Sequence, residues 1–222
     1  RSRPCFKCEK KLIGKPMKKT ARKNSSASLA TARRAGGIVR IVGGDYKRTP
    51  LKVEDFVGLR PTPERVRETV FDWIAHLIGG CAGHSFCDMF AGSGALGLEA
   101  ASRGGDKVVS IDKNRACTKA IAGLVQKLGA TSCVQVVCAD AIQYLEKTEE
   151  LFDVIFIDPP FATCLQLKAA GAARARLRKG GLIYVESDKS ISEADFQALG
   201  LSILRQGKAG QVHFFVLKAD FP

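Results

Sequence analysis

Apolar positions follow two rhythms along this chain. Short apolar runs bounded by turn residues read as strands, and apolar residues spaced by three or four read as helices. Val39-Arg40-Ile41-Val42 alternates, Gly43-Gly44-Asp45 can turn the chain, and Thr49-Pro50-Leu51-Lys52-Val53 can return it, which predicts a β-hairpin. A helix is expected next, with Thr62 as its N-cap, Pro63 at the first helical position, and Glu64 and Glu68 in the half where the dipole is positive. Val66, Val70, Trp73, Ile74 and Leu77 form its apolar stripe, and Gly79-Gly80 ends it. From residue 84 strands and helices alternate. Strands are predicted over 85–90, 107–111, 133–137, 154–157 and 182–186, and helices from the Gly92 turn to about 102, then over 115–128, 141–147 and 165–177. Segments 201–205 and 212–217, flanking Gly207 and Gly210, read as an antiparallel hairpin. Strands joined by crossover helices predict an α/β fold, a mostly parallel sheet covered on both faces. In such a sheet ligands bind beyond the carboxyl ends of the strands.

Composition places the charge and bounds the function. The 222 residues carry a net +13. Residues 1–48 hold 15 Lys and Arg against Glu9 and Asp45, whereas residues 49–222 hold 20 of each sign. The basicity therefore belongs to the N-terminal segment, as a solvated tail or as an electrostatic footprint for nucleic acid. Residues 1–37 are rich in Lys, Arg, Ser, Ala and Gly, lack apolar periodicity, and are expected to be a disordered basic tail. Met17-Lys18-Lys19-Thr20 has the form of a start, which would make residues 1–16 an upstream addition; the acid-poor character would also suit an organelle transit peptide. No apolar run approaches the roughly 18 residues of a membrane helix, and no apolar h-region follows the basic start. Six cysteines scattered through apolar stretches suit free thiols in a reducing cytosol. Cys5 and Cys8 make a pair without a second pair at zinc-finger spacing, so no metal site is expected.

The candidate chemistry sits at the predicted strand ends. Val154-Ile155-Phe156-Ile157 runs into Asp158-Pro159-Pro160-Phe161. Two prolines lack the N–H that a ladder needs, so the strand stops and presents an acid and a ring on a stiff loop, a grip for a flat group bearing an amine. Gly92-x-Gly94-x-x-Gly97 is a glycine-rich turn into a helix, where a ligand can lie against the backbone. Asp112, at the next strand end, can accept both hydroxyls of a ribose, which NAD and S-adenosylmethionine share. Asp88 would face the pyrophosphate of NAD unfavourably but suits a methionyl ammonium. Asp140-Ala141 is placed for an adenine amine and ring face. Acids at four successive strand ends read as S-adenosylmethionine plus an amine acceptor. Arg60, Arg65 and Arg67 crowd the positive end of the 62–78 helix and need Glu64 and Glu68, or an anionic ligand, to offset them. Arg40, Lys47 and Arg48 decorate the hairpin, free to meet phosphate or to guard a sheet edge.

The ordered set of residues 88–97, Asp112, Asp140 and 158–161 resembles the motifs of class I methyltransferases that act on exocyclic amines of bases. Arg60-Pro61-Thr62, Arg65-Val66-Arg67-Glu68, the hairpin 40–53 and Tyr184-Val185-Glu186 resemble the bacterial ribosomal small-subunit methyltransferase D family, which methylates guanine N2 in 16S rRNA. The resemblance covers residues 39–217. It implies a Rossmann-like seven-stranded domain over 84–222 with a C-terminal antiparallel hairpin, and an RNA-facing hairpin and helix over 38–83. It implies S-adenosylmethionine held by Asp88, Phe90, Ala91, Gly92, Ser93, Gly94, Asp112, Lys113, Asp140 and Ala141, with Arg60 and Thr62. The acceptor guanine would be flipped out of its stack and stacked on Phe161, its amine bonded by Asp158 and the Pro159 carbonyl beside Pro160. Arg40, Lys47, Arg48, Arg65 and Arg67 would hold RNA. The expected protein is a cytoplasmic monomer acting on the small ribosomal subunit or its assembly intermediate, with no membrane partner. Adenine-N6 methylation of DNA or RNA, a non-catalytic RNA-binding or assembly role on the same fold, and an NAD oxidoreductase remain the competing readings.

Overall fold

A computed structural model of the chain describes residues 38–52, 63–160 and 163–220. β1 (Ile38–Arg40) and β2 (Pro50–Lys52) form a two-stranded antiparallel ribbon in which Val39 faces Leu51. α1 (Glu64–Ile78) follows, then β3 (Ser85–Asp88), α2 (Ala95–Ser102), β4 (Lys107–Asp112), α3 (Arg115–Lys127), β5 (Val134–Cys138), α4 (Ala141–Lys147) and β6 (Phe152–Ile157). α5 (Gln166–Arg174), β7 (Leu177–Ser187), α6 (Glu193–Gln197), β8 (Leu201–Ala209) and β9 (Val212–Ala219) complete the order. Seven strands make one sheet in the order β5-β4-β3-β6-β7-β9-β8. The first five run parallel; β9 is antiparallel to both β7 and β8. The chain moves outward from β3 through β4 and β5, then returns to β6 on the other side of β3. That reversal opens a crevice at the carboxyl ends of β3 and β6.

Alternation along the central strands sorts the core onto two faces. Val154, Phe156 and Tyr184 pack with Phe71 of α1, Leu98 of α2 and Ile121 of α3. Ile155, Ile157, Ile183 and Val185 pack with Ile142 of α4, Ala170 of α5 and Phe196 of α6. Both faces are covered, so these strands read as continuous apolar runs with no polar side. Phe156 anchors the first face, its ring 5.6 Å from Phe71, 6.0 Å from Phe86 and 6.2 Å from Tyr184.

The segment carrying β1 and β2 is fastened to α2 by polar contacts. Glu99, fully buried, accepts from the N–H of Val42 (2.7 Å) and of Gly43 (2.8 Å) and from Arg103 Nε (2.8 Å). Ser102 Oγ accepts from Tyr46 N (2.8 Å), and its carbonyl accepts from Asp45 N (2.8 Å). Gly44 lies in the left-handed region (φ 74°), and a Cβ there would sit 1.7 Å from the Ser102 carbonyl oxygen. Only glycine allows this approach.

Several boundaries differ from the sequence reading. Pro63 occupies the cap position of α1 (φ −55°, ψ 142°) and the helix starts at Glu64, one residue later than expected; Thr62, the expected cap, lies outside the described residues. α5 stops at Arg174 because Leu177 already pairs with Phe152 at the start of β7, where expectation continued the helix. α6 was not anticipated. Its signal is Ser192-x-x-Asp195, a reciprocal capping box in which Ser192 Oγ accepts from Asp195 N and Asp195 accepts from Ser192 N.

Candidate active site

Four acids stand at the carboxyl edge of the sheet: Asp88 ends β3, Asp112 ends β4, Asp140 follows β5, and Asp158 follows β6. Three of them, Asp112, Asp140 and Asp158, line a single cleft of about 250 Å³. Phe90, Gly92, Lys113, Ala141 and Pro160 line it with them, as do Met89, Asn114, Cys117 and Leu165, which the sequence reading did not single out.

Asp112 organises the floor. Its Oδ2 accepts from Gly92 N (2.8 Å) and its Oδ1 from Asn114 N (2.7 Å). Each carboxylate oxygen has two acceptor positions, so both can accept again from a vicinal diol. Asn114 in turn caps α3, accepting from Ala116 N. The glycine turn is pinned between strands, with Met89 N donating to the Phe156 carbonyl (3.1 Å) and Ala91 N to that of Ile111 (2.9 Å). Gly97, in the first turn of α2, packs against the sheet; a Cβ there would meet Ser110 Oγ at 2.5 Å. Ala91, Ser93 and Gly94 shape this turn without forming the cavity wall. Asp140 caps α4, its Oδ1 accepting from Gln143 N (3.0 Å), and remains exposed at the rim.

Asp88, expected to interact with a ligand ammonium, is 1% exposed and is not among the residues that line the cleft. Its Oδ2 accepts from Gly97 N (3.0 Å). Burial pushes its pKa up to about 7; the Gly97 and Phe90 N–H groups oppose that rise and the Asp112 charge adds to it.

Just past β6, Asp158 is half-buried and Pro159 buried, while Pro160 is exposed. The Pro160 carbonyl accepts from Thr163 N (3.0 Å) and Thr163 Oγ1 (2.7 Å), which closes the loop after β6. Phe161 lies outside the described residues, as do Arg60 and Thr62. Behind Asp158, the Tyr184 hydroxyl donates to Glu186 Oε1 at 2.6 Å. Burial, then Glu186 and Asp158, holds the Tyr184 hydroxyl well above its ordinary pKa.

The basic residues divide. Arg40, Lys47, Arg48 and Arg65 are exposed. Arg67, expected among the RNA contacts, is completely buried, and its guanidinium donates to the Arg40 carbonyl. It does not face solvent because the inward stripe of α1 is Val66, Arg67, Val70, Phe71 and Ile74, shifted round from the expected stripe of Val66, Val70, Trp73, Ile74 and Leu77. Burial lowers its pKa, while Glu99, Glu64, Glu186 and Tyr184 act to keep it charged.

A family model described as conserved hypothetical protein 95 matches residues 39–218. The ribosomal RNA small subunit methyltransferase D of Escherichia coli K12 is 36% identical over 180 residues, covering 80% of this chain and 88% of that protein. The protein of the same name from Buchnera aphidicola of Baizongia pistaciae is 32% identical over 180 residues, covering 79% and 89%. The solved structure of Escherichia coli yhhF, described provisionally as a methyltransferase, superposes with a TM-score of 0.70 at 30% identity, covering 83% of this chain and all of that one. Together with the acid-lined cleft at the switch point of a seven-stranded sheet, these likenesses show that the chain belongs to the ribosomal RNA small subunit methyltransferase D family.

Proposed function

We propose that this protein transfers a methyl group from S-adenosylmethionine to the exocyclic N2 amine of a guanine in small-subunit ribosomal RNA. The observation that carries the reading is the sharing of one cleft by Asp112, Asp140 and Asp158, which gives a donor half and an acceptor half a common space. The side chains fit the cofactor by their chemistry. The carboxylates on the wall are acceptors, and S-adenosylmethionine brings donors to them, a ribose diol for Asp112 and an adenine amine for Asp140. Bound there, it supplies a methyl group made electrophilic by sulfonium. Phe90 and Ala141 offer apolar surface to a flat base. Asp88 contributes negative charge from behind the turn and holds the start of α2 through Gly97 N.

Asp158 and the Pro159 carbonyl accept from the two N–H bonds of the acceptor amine. An aromatic amine is a weak nucleophile because its lone pair is delocalised into the ring. Two acceptors in fixed positions favour the pyramidal form and aim the lone pair at the methyl carbon. As the N–C bond forms and the S–C bond breaks, the amine proton passes to Asp158 or to water. The stiff Pro159-Pro160 backbone keeps the acceptors in place. The exposed cations Arg40, Lys47, Arg48 and Arg65 hold the phosphate backbone while the base is extruded, at a cost of a few kcal/mol. Replacing Asp158 by Ala tests this. The variant is expected to bind S-adenosylhomocysteine as the wild type does and to methylate undermethylated small subunits at least about 100-fold more slowly; full methylation at intact cofactor affinity would exclude the role of Asp158.

A further inference from the structure

The groups that fasten β1–β2 to the body and those that back Asp158 meet in one buried place. From the N-terminal side, α1 grips both ends of residue 40: Glu64 Oε1 accepts from Arg40 N (3.1 Å), and Arg67 donates to the Arg40 carbonyl. Glu99 takes two donors further on, Val42 N and Gly43 N. From the sheet side, Ile157 at the end of β6 is paired with Val185 on β7, so the register sets Asp158, just past β6, beside Glu186, which is still within β7. Glu186 is 2% exposed and takes the Tyr184 hydroxyl; Asp158 is near enough to act on that hydroxyl electrostatically. Arg67 is the group common to both sides. Its charge interacts with Glu64 and Glu99 on one side and with Glu186 and Tyr184 on the other.

Taking a guanidinium and two carboxylates out of water is costly, and each is kept only by close partners. Such a network has few alternative arrangements. It therefore fixes geometry more firmly than apolar contacts do. We infer that Arg67, Tyr184 and Glu186 are positioning residues, which set the exposed cations of the β1–β2 segment at a fixed distance and angle from Asp158. This rests on the proposed methyl transfer to RNA and extends it: the backbone grip and the amine grip are registered to each other through the protein interior. The planar fork of Arg67 holds its donors in a fixed geometry toward the Arg40 carbonyl, which a lysine ammonium does not reproduce. The cofactor half, built on Asp112, Gly92 and Asp140, lies outside the network.

Tyr184→Phe removes one hydroxyl and leaves the packing, and Arg67→Lys keeps the charge and loses the fork. Each full-length variant is assayed on undermethylated small subunits for kcat and KM, and by calorimetry for S-adenosylhomocysteine. Each single change is expected to lower kcat about tenfold or more with cofactor affinity within about twofold of wild type. The double variant is expected to fall little below the worse single one, since one network is broken once. Unchanged kcat in Tyr184→Phe overturns the inference, and so does a fall in kcat matched by loss of cofactor affinity, or a double variant in which the two losses multiply. If Arg67→Lys does not fold, Tyr184→Phe decides by itself. A wild-type protein that leaves the RNA unmethylated would instead overturn the underlying reading, and this inference with it.

Discussion

Asp112 and Asp88 show how depth decides what an acid at a strand end does. Asp112 lies at the cleft, where each oxygen accepts one backbone N–H and keeps a further acceptor position for a diol. Asp88, 1% exposed, is raised to about 7 by burial first and by Asp112 as a lesser contribution. An acid that binds its proton more tightly when folded stabilises the fold below its unfolded pKa, and that stability is lost as pH rises to the folded value. For Asp88 the window runs from about 4 to about 7, with a limiting slope of about 1.4 kcal/mol per pH unit. Between pH 5 and pH 7 the cofactor-free wild type should therefore lose stability relative to Asp88→Asn. Urea unfolding midpoints of both proteins at the two pH values measure this, and parallel pH dependences would refute it. The cofactor should oppose the trend, because a cationic ligand favours the charged form.

Elements position these residues through a few close approaches. The β1–β2 segment depends on Gly44, whose φ of 74° and contact with the Ser102 carbonyl leave no room for a methyl group. Gly44→Ala should cost about 2 kcal/mol or more in unfolding free energy. Gly210→Ala, at a φ of 62° with nothing within 4 Å of the added Cβ, should cost about 1 kcal/mol. Chemical denaturation of the pair separates collision from backbone strain, and equal losses would show that the Ser102 contact is unimportant. Much of this architecture was legible beforehand. The strand–helix alternation gave the parallel sheet because its central strands are apolar on both faces, and the Pro159-Pro160 stop marked the end of β6 correctly. What escaped was the angle at which elements face each other. Arg67 looked solvent-facing because the stripe of α1 was centred about one residue away, and burial of a guanidinium becomes visible only once Glu99, Glu186 and Tyr184, distant in sequence, are brought beside it. Asp88 was placed at the right strand end, and its near-complete burial, with Gly97 N of α2 donating to it, was not foreseen.

The whole molecule is electrically lopsided. Residues 1–37 hold 12 Lys and Arg against Glu9, and the segment from residue 49 onward is balanced. Phosphate binding through cations releases counterions, so affinity falls with salt in proportion to the contacts made. A chain lacking residues 1–37 should bind ribosomal RNA with a visibly shallower dependence of log affinity on log salt, while its kcat on saturating small subunits stays near that of the full chain. Filter binding from about 50 to 200 mM salt reads the slope; identical slopes would remove the tail from the interface. Among the described residues no helix is long and apolar enough to cross a membrane. The transferred carbon is read in the product nucleoside. The purified chain is incubated with S-adenosylmethionine and undermethylated small subunits, and the ribosomal RNA is digested for nucleoside mass spectrometry. N2-methylguanosine is expected, gained with wild type and missing with Asp158→Ala. N6-methyladenosine in its place, or no methylated nucleoside at all, would contradict methyl transfer to guanine N2.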